Sequence, residues 1–427
     1  MRILHVNKFL YRRGGAEAYM LELAQMQRSL GHDVEFFGMD HPDNDPMRYR
    51  EHFPSHAEFE PAPSGSGARL RLAARMLWSR EARAGMDRVM QQFQPDVVHL
   101  HNIYHQLSPS VLAPVGARKT PAVMTLHDYK MACPTYQLLD TNEANGGPRL
   151  CTGCIDNGLR QAVKRACKSG SRAASTVAAL EVGAHRAFGA YDPVSTFICP
   201  SDFLRRIMVS AAVYPDRMRV LDNFTTIPAS TRPDAGEGLL FFGRLSHEKG
   251  VDVLIDAYRI VAERQPGGLP PLHIAGEGPD GDQLRAQAVG TGLDIRFHGR
   301  LAKPDLTRLL LSSRASVVPS RWYENQPLSV LESLASGVPV VATNLGGLPD
   351  LVQHGRTGLI VEAESSTALA SALEEYLRKP DLADAHGKAA RREAETRFNP
   401  ELHVAEILGI YESIGVPKSN EMRQRIT

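Results

Sequence analysis

Short apolar runs alternate with stretches of helical periodicity along almost the whole chain of 427 residues. This alternation is typical of parallel α/β layers, in which each buried strand is followed by a helix that covers the sheet. The expected fold class is therefore α/β, with doubly wound sheets. The predicted strands are Arg2–Val6, Asp33–Gly38, Asp96–Leu100, Ala122–Leu126, Thr196–Cys199, Gly238–Gly243, Leu272–Ala275, Ile295–His298, Ser316–Pro319, Val338–Ala342 and Gly358–Val361. The predicted helices include Ala16–Leu30, Val251–Arg264, Asp280–Val289, Pro304–Ser312 and a helix that ends at Ser336.

The chain is longer than one ordinary hydrophobic core supports, so two domains are expected. Residues 221–237 are rich in turn formers and lack periodicity, which predicts a linker between domains at 1–220 and 238–397. Ligands of doubly wound sheets bind at the carboxyl ends of the strands, so a cleft is expected where these ends of the two sheets face each other. The polar tail at 417–427 is predicted to be disordered.

The composition narrows the cellular setting. A net charge of +1 argues against nucleic acid as the main partner. No apolar run approaches the length of a membrane span, and the first residues are too polar for a signal peptide. Five cysteines, an odd number, favour a reducing compartment. A cytoplasmic protein is expected.

Two glutamates and two cations predict a ligand site in the second half. Glu324 stands in a loop before a predicted helix, and Glu332 lies one to two turns along that helix. Such a pair can hold hydroxyl groups of one ligand, while the helix N-terminus favours an anionic group between them. Arg244 ends a strand and Lys249 precedes another helix, which predicts a diphosphate site. The alternatives are two unrelated surface glutamates and a solvated basic loop.

Glycine-rich turns offer two further anion sites. Gly14-Gly15 follows the first strand, where backbone N–H groups can approach an anionic ligand, although such turns often use glycine without a ligand. The segment Gly276–Gly281 matches Gly-x-Gly-x-x-Gly, which leaves an NAD(P)-binding alternative open. The next strand ends in Gly299-Arg300 and not in an acidic residue for a ribose. We therefore favour a tight turn that leaves room for a nucleotide's phosphate or base.

Polar side chains collect at the ends of two neighbouring strands in the first half. His99, His101 and Asn102 end one strand, and His127 and Asp128 end the next. These groups are predicted to converge on one rim of the sheet. A histidine there can donate to developing negative charge or hold a sugar hydroxyl, although a lone histidine is usually structural.

Four cysteines cluster between the fourth strand and the next helix: Cys133, Cys151, Cys154 and Cys167. The spacing Cys151-x-x-Cys154 is that of a metal knuckle, and four thiols can close a structural zinc site. The alternative is a group of buried or reactive thiols without metal. Cys199, inside an apolar strand, is predicted to lie in the core.

The stretch 68–88 is basic and amphipathic, with six arginines among leucines, methionines and Trp78. A solvated helix packed on the domain is the favoured interpretation. The alternative is peripheral contact with an anionic membrane or with a lipid-linked acceptor.

Taken together, these segments resemble the family 4 retaining glycosyltransferases, which have the two-domain GT-B fold. The likeness covers nearly the whole chain, and the order and spacing of its segments are specific. The segments are Gly14–Glu17, Leu126–Asp128, Gly243–Gly250, Ala275–Pro279, Glu324–Glu332, Pro339–Thr343 and Gly346-Gly347. Cys133-Pro134 and the later cysteines are similar to a bacterial subgroup associated with cell-surface polysaccharides.

The resemblance implies transfer of a sugar from a nucleotide-diphosphate sugar, a UDP- or GDP-sugar above all, to a saccharide or lipid-linked acceptor. The first domain, completed by a helix near 398–416, would bind the acceptor, and the second domain would bind the donor. Arg244 and Lys249 would neutralise the leaving diphosphate, so no catalytic divalent metal is expected. His127 would stabilise the donor sugar at the transition state, and Glu324 would contact the transferred sugar.

The implied site residues fall into three groups. The catalytic group is His127, Arg244, Lys249 and Glu324. The donor-binding group is Gly14, Gly15, Gly276, Gly278, Arg300, Leu301, Leu328, Ser329 and Glu332, of which Glu332 would hold the ribose. The acceptor-binding group is His101, Asn102 and Asp128.

One departure from the family pattern affects the donor. Many members carry glycines after the first glutamate, where this chain has Asn325-Gln326-Pro327. These side chains are expected where the sugar lies, so the identity of the donor does not carry over. Two other classes stay open: a nucleotide-sugar-binding sensor without transferase activity, and an NAD(P)-dependent enzyme that uses Gly276–Gly281.

Overall fold

The structure is a computed structural model that describes residues 1–57, 65–230, 232, 236–265 and 267–417, without the side chains of residues 66 and 68–70. The chain divides into two compact units. The first comprises Met1–Pro200, Leu204–Leu221 and the residues from His403 onward, and the second comprises Ser201–Phe203 and Asp222–Leu402. Residues 231 and 233–235 of the predicted linker and nearly all of the predicted tail lie outside the described residues.

The first unit contains one six-stranded parallel sheet and one short hairpin. The sheet has the order β2-β1-β3-β4-β7-β8, and the hairpin pairs β5 with β6. The strands are β1 (Arg2–Val6), β2 (Asp33–Phe37), β3 (Val97–Leu100), β4 (Ala122–Thr125), β5 (Leu139–Asp140), β6 (Arg149–Leu150), β7 (Thr196–Cys199) and β8 (Met218–Val220). The helices are α1 (Gly15–Ser29), α2 (Ser66–Leu77), α3 (Arg80–Phe93), α4 (Leu112–Ala117), α5 (Gly153–Asn157), α6 (Arg160–Lys164), α7 (Arg172–Ala187) and α8 (Asp202–Ser210).

The second unit contains a second six-stranded parallel sheet, in the order β11-β10-β9-β12-β13-β14. Its strands are β9 (Leu239–Phe242), β10 (Leu272–Ala275), β11 (Ile295–Gly299), β12 (Ala315–Val318), β13 (Val340–Thr343) and β14 (Gly358–Val361). The helices are α9 (Val251–Arg264), α10 (Gly281–Thr291), α11 (Lys303–Ser312), α12 (Leu328–Ala335), α13 (Leu348–Leu351), α14 (Ser366–Arg378), α15 (Pro380–Arg397) and α16 (Pro400–Ser413). Helix α16 begins in the second unit and belongs to the first from His403.

The central strands form because their apolar runs are buried on both faces of the sheet. All residues of β3, β4, β12 and β13 are buried, as expected for parallel strands covered by helices on both sides. In the first unit His5 of β1 stands in register with His99 of β3. Side chains alternate between faces along a strand, so His101 shares a face with His99, and His127 shares one with Thr125.

The predicted strands and the helices predicted with them are confirmed to within two residues at each end, whereas the C-terminal helix, α16, ends three residues before its predicted limit. The sequence missed β8 and the β5–β6 hairpin. The expectation of one helix over the basic stretch is wrong, because α2 ends at Leu77 and α3 begins at Arg80, with the Ser79 hydroxyl accepting from the Ala82 N–H as an N-cap. Among the described residues, no helix combines the length and the apolar character needed to cross a membrane.

Candidate functional site

Glu324 and Lys249 form an ion pair in the second unit. Glu324 follows β12, and its side chain is buried, with 4% of the residue exposed. Its Oε1 lies 2.7 Å from the Lys249 Nζ and accepts a second hydrogen bond from the Ser320 hydroxyl at 2.6 Å. The Lys249 ammonium also lies 5.2 Å from the centre of the Trp322 ring. The sequence had assigned both charged residues to the site but not their direct pairing.

The other predicted donor residues of the second unit lie on the loops after β9, β10 and β11 and on helix α12. Arg244 is exposed after β9 and has no carboxylate partner among the described residues. Helix α12 carries Leu328 and Ser329 in its first turn and the partly buried Glu332 further along. An exposed cation and a helix N-terminus are two features that attract a phosphate.

The glycines of the Gly-x-Gly-x-x-Gly segment are required for packing between loops. A Cβ on Gly276 would lie 1.8 Å from the Gly243 carbonyl oxygen, and one on Gly278 would lie 2.1 Å from the Leu245 carbonyl oxygen. The loop after β10 is therefore held against the loop that carries Arg244. Arg300, exposed, and Leu301, partly buried, follow β11.

The side chains of Asn325 and Gln326 do not stand where the sequence placed them. The Gln326 amide nitrogen donates to the Asp222 carboxylate, and its Oε1 accepts from the Asn223 backbone N–H. The Asn325 Oδ1 accepts from the Ser201 hydroxyl at 2.8 Å. Both amides are thus hydrogen-bonded to residues at the beginning of the two chain segments that form the second unit, Ser201–Phe203 and Asp222–Leu402. This corrects the expectation that they project into the sugar site.

His127, in the first unit, is one end of a series of hydrogen-bonded side chains. Its Nε2 lies 3.1 Å from the His101 Nδ1, and the His101 Nε2 lies 3.1 Å from the His5 Nδ1. The His5 Nε2 donates to the Gln27 carbonyl oxygen at 2.8 Å. His127 is partly exposed, whereas His101, His5 and Gln27 are completely buried.

The series continues from Gln27 to the C-terminal helix. The Gln27 amide nitrogen donates to the Tyr411 hydroxyl at 3.2 Å, and that hydroxyl lies 2.7 Å from the His99 Nδ1. The His99 Nε2 lies 2.8 Å from the Thr125 hydroxyl oxygen. Thr125 in turn is hydrogen-bonded to Tyr19, whose hydroxyl lies 2.8 Å from the His403 Nε2.

Burial keeps these imidazoles neutral. Desolvation lowers the pKa of His127 to about 3 and the pKa of His5 to about 4. It also lowers the pKa of His99 and of His101 far below the ordinary value, with neighbouring histidines adding to the effect. Each ring therefore carries one N–H and one lone pair near neutral pH.

His101, Asn102 and Asp128 were predicted to bind an acceptor, and the structure gives each an internal partner. His101 is 0% exposed and both of its ring nitrogens are hydrogen-bonded, so direct contact with an acceptor is wrong. The Tyr104 hydroxyl is hydrogen-bonded to both the Asn102 Oδ1 and the Asp128 carboxylate. Burial raises the pKa of the Asp128 carboxyl. Tyr104 was missed because nothing in its sequence context marks it.

Gly14 and Gly15 are exposed at the beginning of α1, where Gly14 is the N-cap. Gly14 has extended backbone geometry, with a φ of −158°. The first backbone N–H groups of α1 have no partner within the helix, which is the property that an anion site at a helix N-terminus needs.

Comparison with known proteins identifies the family. Residues 13–226, half of the chain, match the family model described as Glycosyltransferase Family 4, and residues 223–393 match the one described as Glycosyl transferases group 1. The chain belongs to glycosyltransferase family 4. The family resemblance seen in the sequence is thereby confirmed.

Two curated relatives show how far the likeness extends. Glycogen synthase of Mycobacterium tuberculosis (strain CDC 1551 / Oshkosh) is 37% identical over 174 residues, which span 40% of this chain and only 41% of that protein. Phosphatidyl-myo-inositol mannosyltransferase of Mycobacterium leprae (strain TN) is 26% identical over 415 residues, 95% of each chain.

A solved structure confirms the fold of this family 4 member. HepE from Anabaena, determined in complex with UDP, superposes with a TM-score of 0.65 at 19% identity, over 97% of this chain and 100% of that one. Its likeness shows the GT-B fold, as predicted from the sequence. Each unit of the present chain is one of the two Rossmann-like domains of that fold.

The four clustered cysteines of this family 4 member line a common cavity of about 10 Å³ in the first unit. All are free thiols, and the Arg165 guanidinium donates to the Cys151 Sγ at 3.2 Å. Burial raises the pKa of both Cys154 and Cys167 to about 12. The neighbouring Cys133 thiol adds to this effect at Cys154, and the Asp140 carboxylate adds to it at Cys167. Among the described residues, only His5, His99 and His101 form a group of three or more metal-binding side chains whose ligand atoms all lie within 4.8 Å of one another.

Proposed function

We propose that this protein transfers a sugar from a nucleotide-diphosphate sugar to a saccharide or lipid-linked acceptor, with retention of the anomeric configuration, in cell-surface polysaccharide synthesis. The observation that carries the proposal is the Lys249–Glu324 pair, together with the exposed Arg244 on the loop that leads from β9 to Lys249. Membership of glycosyltransferase family 4 supports the reaction class. The complex of HepE with UDP supports a nucleotide-sugar donor.

The chemistry follows from the charge of the leaving group. A departing nucleoside diphosphate needs positive charge at one place, and cations held in advance stabilise it without reorganisation during the reaction. We assign this role to Arg244 and Lys249, which makes a catalytic divalent metal unnecessary. The departing phosphate can itself take the proton of the acceptor hydroxyl, so no strong protein base is required.

The remaining donor contacts are assigned by chemical type. Glu332 accepts from the ribose hydroxyls, and the N-terminus of α12 at Leu328 and Ser329 faces a phosphate. The backbone at Arg300 and Leu301 holds the base, while Gly276 and Gly278 shape the loop beside it. Gly14 and Gly15, at the N-terminus of α1 in the first unit, are assigned to an anionic group through their backbone N–H groups.

The Glu324 carboxylate divides its two oxygens between structure and substrate. Oε1 accepts from both Lys249 and Ser320, whereas Oε2 makes no hydrogen bond to a described residue. Oε2 is therefore assigned to a hydroxyl of the transferred sugar. His127, which is partly exposed in the first unit, is assigned to a sugar hydroxyl.

The test begins with a thermal-shift panel of UDP-, GDP-, ADP- and TDP-sugars, because a ligand that binds only the folded state raises the melting temperature. The donor that stabilises the protein is then assayed for transfer and for hydrolysis. Binding together with turnover supports the proposal. Binding without turnover would favour a nucleotide-sugar sensor, and stabilisation by NAD(P) alone would favour the nicotinamide alternative.

We also propose that Cys133, Cys151, Cys154 and Cys167 hold a structural zinc ion. Four sulfurs around one small cavity supply the ligand set, and the Arg165 guanidinium offsets part of the negative charge that four thiolates would bring. Zinc would replace the thiol protons and draw the sulfurs towards a Zn–S distance of about 2.3 Å.

A further inference from the structure

The His5, His99 and His101 rings lie close enough together to suggest a metal site, but their hydrogen bonds favour another function. All six ring nitrogens of these histidines have a hydrogen-bond partner. A metal ion would have to break several of these bonds in a fully buried place. A neutral imidazole that accepts a hydrogen bond at one ring nitrogen donates from the other. The tautomer of each histidine in the arrangement therefore fixes the tautomer of the next.

The direction of this series is fixed at Gln27. With its carbonyl oxygen facing His5, only a proton on the His5 Nε2 completes that bond. The His5 Nδ1 then accepts from the His101 Nε2–H, and the His101 Nδ1 accepts from the His127 Nε2–H. The proton of His127 is thereby placed on Nε2, and Nδ1 keeps its lone pair.

Both polar ends of the Gln27 amide are hydrogen-bonded in this orientation. The amide nitrogen donates to the Tyr411 hydroxyl, which donates onward to the His99 Nδ1. The His99 Nε2–H then donates to the Thr125 hydroxyl, and Thr125 donates to Tyr19. Every donor in the series meets an acceptor with the amide in this orientation. Rotating the amide would require all of these bonds to reverse together.

We propose that Gln27 and Tyr411 are positioning residues that set the tautomer of His127 through the imidazoles of His5 and His101. The consequence is that His127 presents a hydrogen-bond acceptor, Nδ1, to a sugar hydroxyl, and does not donate to developing negative charge. The Nδ1 atom makes no hydrogen bond within the described part of the chain. The contact with a sugar rests on the proposed function, whereas the tautomer does not.

The experiment measures the tautomer directly. Protein labelled with ring-¹⁵N histidine gives long-range ¹H–¹⁵N correlations in which protonated and unprotonated ring nitrogens are well separated, and His127→Asn assigns the His127 signals. The wild type should show one His127 tautomer, with the proton on Nε2. Gln27→Met should mix the two tautomers and lower the transfer rate about tenfold, the cost of losing one oriented hydrogen bond.

A matched pair of hydroxyl deletions separates this role from packing. Tyr411→Phe removes the partner of the Gln27 amide and should mix the His127 tautomers. Tyr376→Phe makes the same chemical change at a buried hydroxyl that also lies 2.7 Å from a histidine Nδ1, that of His386, but it lies in the second unit and outside the series, so it should leave the His127 tautomer unchanged. If Gln27→Met does not fold, the two tyrosine variants still test whether the tautomer of His127 depends on the series.

Three results would overturn the proposal. They are a wild-type His127 with its proton on Nδ1, a tautomer unaffected by Tyr411→Phe and Gln27→Met, and a shift of the His5, His99 and His101 signals on addition of zinc. The NMR measurement needs no substrate. A protein that transfers no sugar but keeps a single His127 tautomer would refute the proposed function alone.

Discussion

At the residue scale, Glu324 makes a buried ion pair and, in the proposed function, also binds the substrate. Its carboxylate is almost completely buried, and Oε1 pairs with Lys249, whereas Oε2 makes no hydrogen bond to a described residue. A buried carboxylate of this kind is tolerated because its charge is paired and hydrogen-bonded. The same pairing holds the Lys249 ammonium in one place, which is what stabilisation of a leaving group requires.

Glu324→Gln should therefore impair both stability and turnover. The variant keeps the shape but leaves Lys249 without its counter-charge, so we expect a loss of about 1–3 kcal/mol in the free energy of unfolding. The transfer rate should fall about 100-fold or more. Urea unfolding and initial rates with the identified donor check this. The control is Glu263→Gln, which removes an exposed i,i+4 partner of Arg259; equal effects of the two variants would contradict the assignment.

The buried imidazoles predict an acid-sensitive first unit. Burial holds the pKa of His127 at about 3 and that of His5 at about 4, whereas both titrate near 6.5 in the unfolded chain. Below pH 6.5 the unfolded chain binds more protons, so stability falls as the pH is lowered towards 4, by about 1.4 kcal/mol per pH unit for each such histidine.

Urea unfolding of a Trp322→Phe variant measures this effect, because Trp78 is then the only tryptophan and reports on the first unit. The unfolding midpoint should fall steadily between pH 6.5 and pH 4. Replacement of the exposed His298 by Asn should not alter that slope. A midpoint that is constant over this range would show that the histidines are not held neutral.

At the element scale, the segments from α5 to α7 share a small apolar cluster. Among the described residues, its buried members are Ala162, Cys167 and Ala179, with Cys154, Leu159 and Val163 packed against them. A zinc ion would connect these segments, and a metal commonly takes this role where a core is too small.

Protein purified without chelator should contain about one zinc per chain, measured by plasma mass spectrometry. Cys154→Ser should lose the metal and lower the melting temperature. Cys199→Ser is the matched control, because Cys199 lies buried in β7, outside the cavity. Wild-type protein that stays free of zinc even when the metal is supplied would refute the zinc site.

The break between α2 and α3 changes which arginines could contact a membrane. Arg75 donates to the backbone carbonyls of Ser55 and Gln106, so it holds the fold together and does not belong to an exposed basic surface. Arg71 and Arg80 are exposed, near the exposed Leu77 and Trp78.

If this basic surface contacts anionic lipid, Arg71→Glu with Arg80→Glu should weaken binding to phosphatidylserine vesicles about tenfold or more, at roughly 1 kcal/mol per charge. Arg308→Glu, an exposed change on α11, is the control. Sedimentation with vesicles measures the binding. If the wild type does not bind the vesicles, the favoured interpretation stands, in which the exposed arginines of α2 and α3 form a solvated surface.

The sequence predicts most elements here because their signals are local. β1, β7, β10, β14 and α9 have the predicted limits, since local apolar patterns define them, and Gly276 and Gly250 mark the end of β10 and the beginning of α9. β8 has three residues, two of them exposed, and becomes a strand only by pairing with β7. No local pattern could reveal it.

The candidate site shows the same difference between residues with a local sequence signal and residues whose partners are distant in the sequence. Glu324, Lys249 and His127 lie in segments that follow strands β12, β9 and β4, where sequence pattern and chemistry coincide. The partners that orient His127 come from distant positions, since Gln27 and Tyr411 are 384 residues apart. His5, His99 and His101 had a usable signal in hindsight, because polar residues in buried strands need partners and strands in register supply them.

At the scale of the whole molecule, the chain returns to its first unit at the end. Helix α16 belongs to the first unit from His403, and its buried residues are His403, Val404, Ile407, Leu408, Ile410 and Tyr411. Tyr411 joins the histidine series through Gln27 and His99. The folding of the first unit therefore depends on residues that follow the whole of the second unit in the sequence.

Leu408→Ala tests this dependence. Leu408 is 1% exposed, so the substitution should cost about 2–5 kcal/mol, and the loss should fall on the first unit. Hydrogen exchange read by mass spectrometry should show reduced protection in β1 and β3, with β9 and β12 unchanged. Leu402→Ala is the control on the same helix, because Leu402 is 54% exposed. Equal loss of protection in both sheets would mean that the two units unfold as one, and no loss in β1 would mean that α16 contributes little to the first unit.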